Sequence, residues 1–476
     1  LEPTEGGYAW SKVDNFLAKM AAAGKRAAIG IVTFNNRQYI TSTTDYPMHV
    51  PSYVWEAGAG RVACPDGFQI PKYWDPVYQA KYGAFVRALA ARYDGDPRLE
   101  FIQIGVGTFG ETQPCDHQDD AYVQAAMEAG GLYAWDWPDV VNAITALYAD
   151  AFASTRLMLL NAPRFMYECD RRAFSDYALS RGVGLFPAGL YAEQEWVDLR
   201  TRTAWDGCGK YDRILDQAEA GPPGAPVAFE MYDYMTPDAV TFFWGVAAAL
   251  SRRADYITLE RTVLYVGNPY DATVTPLTDN IAVMRWAGAY LGRDATNTPS
   301  AWVLLRESGY RDSWYPQRGN YNWWLAQNDA APGGRTVPST YRSRGQLVSA
   351  AHYAAYGDDA VRAEIETGQA FLGQGREGWI CRRTDQASGN PLMAFQVDDR
   401  YAVGGTNRVT ITVTYLDHGQ DSWRLTYDAV GDPARVAGTV VKTNTDAWKQ
   451  AVFALDDARL ANSQPGAADF TLDCLG

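Results

Sequence analysis

Two glutamates in this chain sit where carboxyl chemistry can be done. Glu111 follows the apolar run Phe101–Val106 and two glycines in the segment IQIGVGTFGET, and Glu230 lies in the run Val227–Met231 within PVAFEMYDY. Each run is short and apolar, as a buried strand is, so each glutamate reads as a carboxylate at a strand's C-terminal end. In parallel α/β sheets the loops at that edge build the active site. Cleaving a glycosidic bond needs one carboxylic acid to protonate the leaving oxygen, and a second carboxylate to attack the anomeric carbon or to activate water. An isolated glutamate is more often a solvated surface group. The glycine-rich approach to Glu111 and the tyrosines Tyr232 and Tyr234 after Glu230 set these two apart.

Other residues fit the same chemistry less sharply. Glu260, in TLER at the end of the last strand of the region, is a rival nucleophile or a substrate contact, with an ion pair to Arg261 as the structural alternative. Asn35 and Asn161 follow strands and could bind sugar hydroxyls, although asparagine is also a common turn residue. Tyr191, Trp196 and Tyr232, with Trp55, are stacking platforms for a sugar ring or packing at a rim. The chain holds 16 Trp, 30 Tyr and 17 Phe, many beside Gly, Pro, Asn or Asp, and flat aromatic faces suit the C–H faces of pyranose rings.

Several function classes are disfavoured. A net charge of −14 with no Lys/Arg run argues against a nucleic-acid partner. No uninterrupted apolar stretch is long enough for a transmembrane helix, so no membrane partner is expected. No nucleophile elbow, phosphate-binding loop or H-E-x-x-H motif occurs, and His49, His117, His352 and His418 do not cluster in sequence. GVGTFG ends in a candidate acid instead of opening a helix, which excludes a dinucleotide loop. Nothing calls for a metal ion or an organic cofactor. The oligomeric state is not legible.

From residue 1 to about 297, short apolar runs alternate with amphipathic helices, the signature of βα units around a parallel sheet. The strands read Ala27–Phe34, Phe101–Val106, Leu157–Asn161, Val183–Pro187, Val227–Met231 and Tyr256–Glu260. Asp75-Pro76, Trp137-Pro138 and Thr236-Pro237 mark helix starts. Beyond about residue 298 the texture changes to alternating strands with turn residues between them. Val409, Ile411, Val413 and Tyr415 share one face of such a strand.

The opening LEPTEGGYAW resembles the stretch that follows the second barrel strand in clan A glycoside hydrolases. That resemblance implies an α/β (β/α)8 TIM barrel whose first two strands precede Leu1, so that the six visible strands are numbers three to eight. It further implies the acid/base on strand four and the nucleophile on strand seven, which are the strands of Glu111 and Glu230, and a retaining double displacement on a carbohydrate substrate. One departure stands out: many clan A families place Asn directly before the acid/base, where this chain has Gly110. The G-x-x-G-E form is also similar to inverting barrel glycosidases such as β-amylases. An inverting hydrolase and a non-catalytic carbohydrate-binding protein on the same fold are the alternatives. The expected domains are a barrel over residues 1–297 and an antiparallel β-sandwich over residues 298–476.

The six cysteines show no metal-site spacing, and local disulfides are expected instead, with Cys381–Cys474 tying the start of the strand-rich region to the chain's end. Secretion is expected on the same ground.

Overall fold

The computed structural model describes residues 1–33, 50–63, 69–115, 121–161, 169–190, 225–233, 239–251, 253–267, 273–305, 320–323, 325–328, 340–343, 346–349, 380–382, 384 and 391–476. Two compact units are formed, one from Leu1–Ala188 and Thr203–Glu230, the other from Gly189–Arg202 and Met231–Gly476.

The first unit is built on parallel strands. In chain order they are β1 (Ala27–Gly30), the short pair β2 (Arg61–Ala63) and β3 (Gln69–Pro71), then β4 (Leu99–Ile104), β5 (Leu157–Asn161), β6 (Gly184–Pro187) and β7 (Ala228–Met231), in which the unit ends. Strands β1, β4, β5 and β6 pair in that order, all parallel, and a parallel bridge from Leu185 to Val227 carries the direction on to β7. Sequential neighbours running parallel require a crossover each time. Helices α1 (Ser11–Ala22), α2 (Ser52–Glu56), α3 (Pro76–Tyr93), α4 (Ala121–Ala129), α5 (Trp137–Ala151) and α6 (Cys169–Ser180) lie between the strands or ahead of them. Every residue of β5 and β6 is buried, as expected of strands covered on both faces. That is why LMLLN and GLFP are nearly continuous apolar runs and do not alternate.

Helix α3 shows how local chemistry sets an element's start. The Asp75 carboxylate accepts from Val77 N at 2.8 Å and Tyr78 N at 3.2 Å, and Pro76 needs no donor partner there. Its other oxygen accepts from Gly60 N at 3.1 Å, fastening the preceding segment to the helix. Tyr78, Phe85, Leu89 and Tyr93 then recur on the buried face. At the far end of α3, Asp94 turns back: its carboxylate accepts from Ala153 N, Ser154 N and Thr155 N at 2.8–3.2 Å, joining the end of α3 to the entry into β5.

In the second unit, β8 (Tyr256–Leu259) leads to Glu260, whose backbone N–H donates to Met231 O at 3.0 Å. Strands thus stand at all six positions expected from the sequence before residue 298. Two short antiparallel pairs were not foreseen there: β2 with β3, and Tyr265–Val266 with Thr275–Pro276.

The C-terminal part holds a curled antiparallel sheet of seven strands. Its order is Leu325–Asn328, Leu392–Val397, Phe470–Cys474, Ser422–Ala429, Ala447–Ala458 and Asn407–Asp417, with Asp432–Val441 also pairing on Ser422–Ala429. Ser422–Ala429 meets Ala447–Ala458 only at Ala429–Ala458, which allows the sheet to bend there. The core joins Phe395, Leu425, Tyr427, Leu455 and Phe470, with Val409, Ile411 and Val413 packed on it. The expected one-face pattern of Asn407–Asp417 is present: its odd-numbered residues from Asn407 to Tyr415 are half-buried and Thr410, Thr412 and Thr414 are exposed.

Three fully buried aspartates organise the turns of this sheet. Asp417 accepts from Thr443 N and Oγ1, Thr445 Oγ1 and Lys449 Nζ at 2.6–2.8 Å. Burial alone would push this carboxyl up, but Lys449 and the threonine donors outweigh it and hold it well below the usual carboxylate range. Asp428 is paired with Arg459, and Asp469 accepts from Val397 N and Asn462 N. Burial, with the charges of Asp399 and Asp428, pushes Asp469 upward.

The expected Cys381–Cys474 bond is corrected here. Cys381 lies on the strand Ile380–Arg382, in a three-stranded sheet with Thr340–Ser343 and Gln346–Ser349, whereas Cys474 ends a strand of the seven-stranded sheet. No disulfide is formed among the described residues. Bracketing a region in sequence does not make two cysteines spatial neighbours.

Two outcomes follow from these contacts. Asp75→Ala should cost about 1 kcal/mol of first-unit stability, read as a lower urea midpoint. Asp417 contributes stability that is present above the unfolded value of about 3.9 and is lost as pH falls below it. Asp417→Ala should therefore flatten the acid limb of the thermal-midpoint profile, and an unchanged limb would disprove its role.

Candidate active site

Strand β4 ends at Ile104, and the residues after it fold back on themselves. Gly107 N donates to Glu111 O at 2.8 Å, Glu111 N to Thr108 O at 2.9 Å, and Thr108 N to Gln113 O at 2.9 Å. The turn residues are left-handed, Phe109 at φ 56° and Gly110 at φ 82°. Glycine accepts that conformation freely, but an aromatic residue there costs roughly 1 kcal/mol or more, a strain typical of functional loops. Close packing fixes the glycines: a Cβ on Gly107 would stand 1.9 Å from Gln113 O, and one on Gly110 2.5 Å from Ile31 O.

The loop's carbonyls are captured by side chains. Thr33 Oγ1 donates to Gly107 O at 2.7 Å, Tyr82 Oη to Gly105 O at 2.7 Å, Trp137 Nε1 to Thr112 O at 2.9 Å and Tyr73 Oη to Pro114 O at 3.1 Å. Tyr73 and Trp137 are fully buried and meet edge to face, with ring centroids 5.7 Å apart. Burial pushes the Tyr73 and Tyr82 hydroxyls well above their ordinary range, so both remain protonated donors. A backbone bond from Thr112 N to Leu160 O at 3.0 Å joins the loop to the end of β5.

On this frame Glu111 is half-buried, and its Oε2 accepts from Gln113 Nε2. Gln113 is itself buried and was not singled out by sequence. Strand periodicity could not have found it, because residues 111–114 form a bend after the left-handed turn. Glu230 is half-buried in β7 between the fully buried Phe229 and Met231, and Tyr232 follows it, also half-buried. Because β4 and β7 run the same way within one unit, both glutamates stand at the C-terminal edge of the parallel strands.

The remaining candidates are placed as follows. Asn161 ends β5, fully buried, and its Nδ2 donates to Ser175 Oγ at 2.9 Å, within its own βα unit. Its neighbour Leu160 is the residue bonded to the Glu111 loop. Glu260 is exposed at the head of the turn Arg261–Val263, and its Oε2 accepts from Asp233 N at 3.4 Å. Arg261 donates to Gly267 O at 3.0 Å and lies over the Tyr265 ring. Trp55 carries the Arg61 guanidinium 4.4 Å above its ring. Asn35, Tyr191 and Trp196 lie outside the described residues.

No protein-family model and no curated protein matches this chain. Structural likeness is found to a β-galactosidase from the psychrophilic Marinomonas ef1, with a TM-score of 0.38 and 12% identity, over 60% of this chain and 53% of that one. The chain thus spans about half the length of that enzyme. Likeness is also found to endo-glycoceramidase II from Rhodococcus sp. in complex with ganglioside GM3 (TM-score 0.34, 10% identity, 59% of this chain and 68% of that one). A psychrophilic glycoside hydrolase family 10 endo-β-1,4-xylanase gives a TM-score of 0.26 at 12% identity, over 61% and 69% of the two chains. Scores this low carry no argument, so the chemistry has to come from the side chains themselves.

Gly107→Ala tests the loop directly. Its added methyl meets the Gln113 carbonyl, so the turn must open, at a cost of at least about 2 kcal/mol in stability together with displacement of Glu111. A variant with wild-type unfolding midpoint would show that the loop is not held as described.

Proposed function

We propose that this chain is a retaining glycoside hydrolase with Glu111 as acid/base and Glu230 as nucleophile. The observation that carries the reading is the placement of two half-buried glutamates at one edge of parallel strands, one of them on a loop gripped by four side-chain donors. Catalytic carboxyls must be held to within a fraction of an ångström, and a loop so held supplies that. Gln113 supports the assignment of Glu111. A neutral amide N–H bonds a carboxylate and, more weakly, the carbonyl oxygen of a protonated acid, so the contact persists in both states of a group that must gain and lose a proton each cycle.

In this mechanism Glu111 protonates the glycosidic oxygen as Glu230 attacks the anomeric carbon, breaking the C–O bond and forming a glycosyl ester. Glu111, now a carboxylate, takes a proton from water, which attacks the same carbon and frees Glu230. The barrel over residues 1–297, the β-sandwich over residues 298–476, a carbohydrate substrate and an extracellular location belong to the same proposal. Asn161 and Tyr232, with Asn35, Tyr191 and Trp196, are the proposed substrate contacts, and Glu260 lines the substrate side without attacking.

The experiment pairs three variants on aryl glycosides with good leaving groups. Glu111→Ala should still be glycosylated slowly, because such substrates need no proton, and azide should rescue its turnover. Glu230→Ala should lose turnover of activated and natural substrates alike by several orders of magnitude, while the first-formed product of the wild type keeps its anomeric configuration by NMR. Activity in Glu230→Ala with inactivity in Glu260→Ala would move the nucleophile to Glu260, and an inverted product would replace the ester intermediate by direct attack of water.

A further inference from the structure

The most exposed aromatic ring among the described residues is Trp135, at 66% of its full accessibility, and beside it Tyr133 is 42% exposed. The two rings are stacked with centroids 4.9 Å apart and planes only 4° from parallel. With one face of Trp135 covered by Tyr133, the exposure that remains comes from its other face and edges. An indole left this open forgoes burial that the fold would otherwise use.

The segment that carries the pair is fixed at both ends. Leu132 is buried and its N–H donates to Met127 O at 2.9 Å, Asp136 N donates to Tyr133 O at 3.0 Å, and Trp137, the first residue of α5, is fully buried. Mutual stacking on a pinned backbone removes rotamer freedom in advance, so a ligand laid on the pair does not have to order it. The position is also informative. Trp135 is two residues from Trp137, hence at most about 7 Å away along the chain, and Trp137 Nε1 bonds Thr112 O, the carbonyl next to Glu111.

We propose that Tyr133 and Trp135 form a binding platform for a pyranose ring of an uncharged glycan chain, distal to the cleavage point and continuous with the Glu111 loop. The inference rests on the hydrolase reading for its ligand class. A flat apolar face matches the C–H face of a pyranose, and the acidic neighbours Glu128, Asp136 and Asp139 disfavour a uronate chain. Placed one segment away from the candidate acid, the platform holds the far part of a long substrate while the near part lies at Glu111 and Glu230.

The test measures binding separately from turnover. Titration calorimetry on the full chain uses xylohexaose, cellohexaose and mannohexaose, the matching disaccharides, and hexagalacturonate as the anionic probe. At least one neutral hexasaccharide should bind, and Trp135→Ala should weaken its Kd roughly tenfold, about 1.4 kcal/mol. Tyr133→Ala should cause a smaller loss, and the loss should shrink for the disaccharide. Circular dichroism and the unfolding midpoint should match wild type, because both side chains are exposed. The platform is overturned by equal hexasaccharide affinity in Trp135→Ala, by an equal loss at both chain lengths, by preference for hexagalacturonate, or by a dimer in sedimentation that Trp135→Ala dissolves. Binding that depends on Trp135 without any hydrolysis would keep the platform and remove the hydrolase. Hydrolysis with unaltered hexasaccharide affinity would do the reverse.

Discussion

A peptide carbonyl that leaves water must find a donor; in the loop after β4 the backbone serves Thr108, Glu111 and Gln113 O, while Gly105, Gly107, Thr112 and Pro114 O take side-chain donors. Thr33, Tyr82, Trp137 and Tyr73 supply those donors from beyond β1, from within and ahead of α3, and from the head of α5. Everything distinctive about the site depends on this capture. It supports the strained backbone of Phe109 and the base on which Glu111 stands, while the backbone bond from Thr108 N brings Gln113 O so near Gly107 that no side chain fits. Because the donors come from separate elements, the loop is correct only when the helices around it are correctly seated, so the position of Glu111 reports on the packing around it.

The same requirement shows what a linear reading can reach. The parallel strands were legible because burial on both faces leaves unbroken apolar runs, as in LMLLN, and α3 was legible because Asp75-Pro76 is a local start signal. The glycines ahead of Glu111 announced a loop, but not their reason, since Ile31 O and Gln113 O approach them only in three dimensions. The donor roles of Tyr73 and Trp137 were invisible for the same cause: each acts through a partner that the sequence does not place beside it. Tyr73 meets Pro114 across 41 positions. Asn161, read as a strand-end residue that could bind a sugar hydroxyl, is buried there and bonded to Ser175, a partner the sequence does not place beside it. The pairing of Cys381 with Cys474 failed because it rested on chain order, which carries no information on the distance between two sulfur atoms.

In the second unit alternation carried further, because a strand with one wet face writes its fold into every second residue, as from Val409 to Tyr415. What alternation cannot show is how the turns are held. There buried aspartates do for loops what main-chain ladders do for strands, collecting several N–H and O–H donors at one carboxylate. Asp417 and Asp469 use similar geometry to opposite electrostatic effect, because only Asp417 has a lysine to offset the loss of water.

The clasp made by Asp94 lies at the other edge of the parallel sheet from Glu111. By taking three successive N–H groups ahead of β5, it fastens the close of α3 to the entry into β5 without any residue of the edge that carries the glutamates. Holding the scaffold from that side separates support of the strands from the shape of the loops at the opposite edge. A change of length or composition in the loops on the glutamate side therefore leaves this fastening untouched.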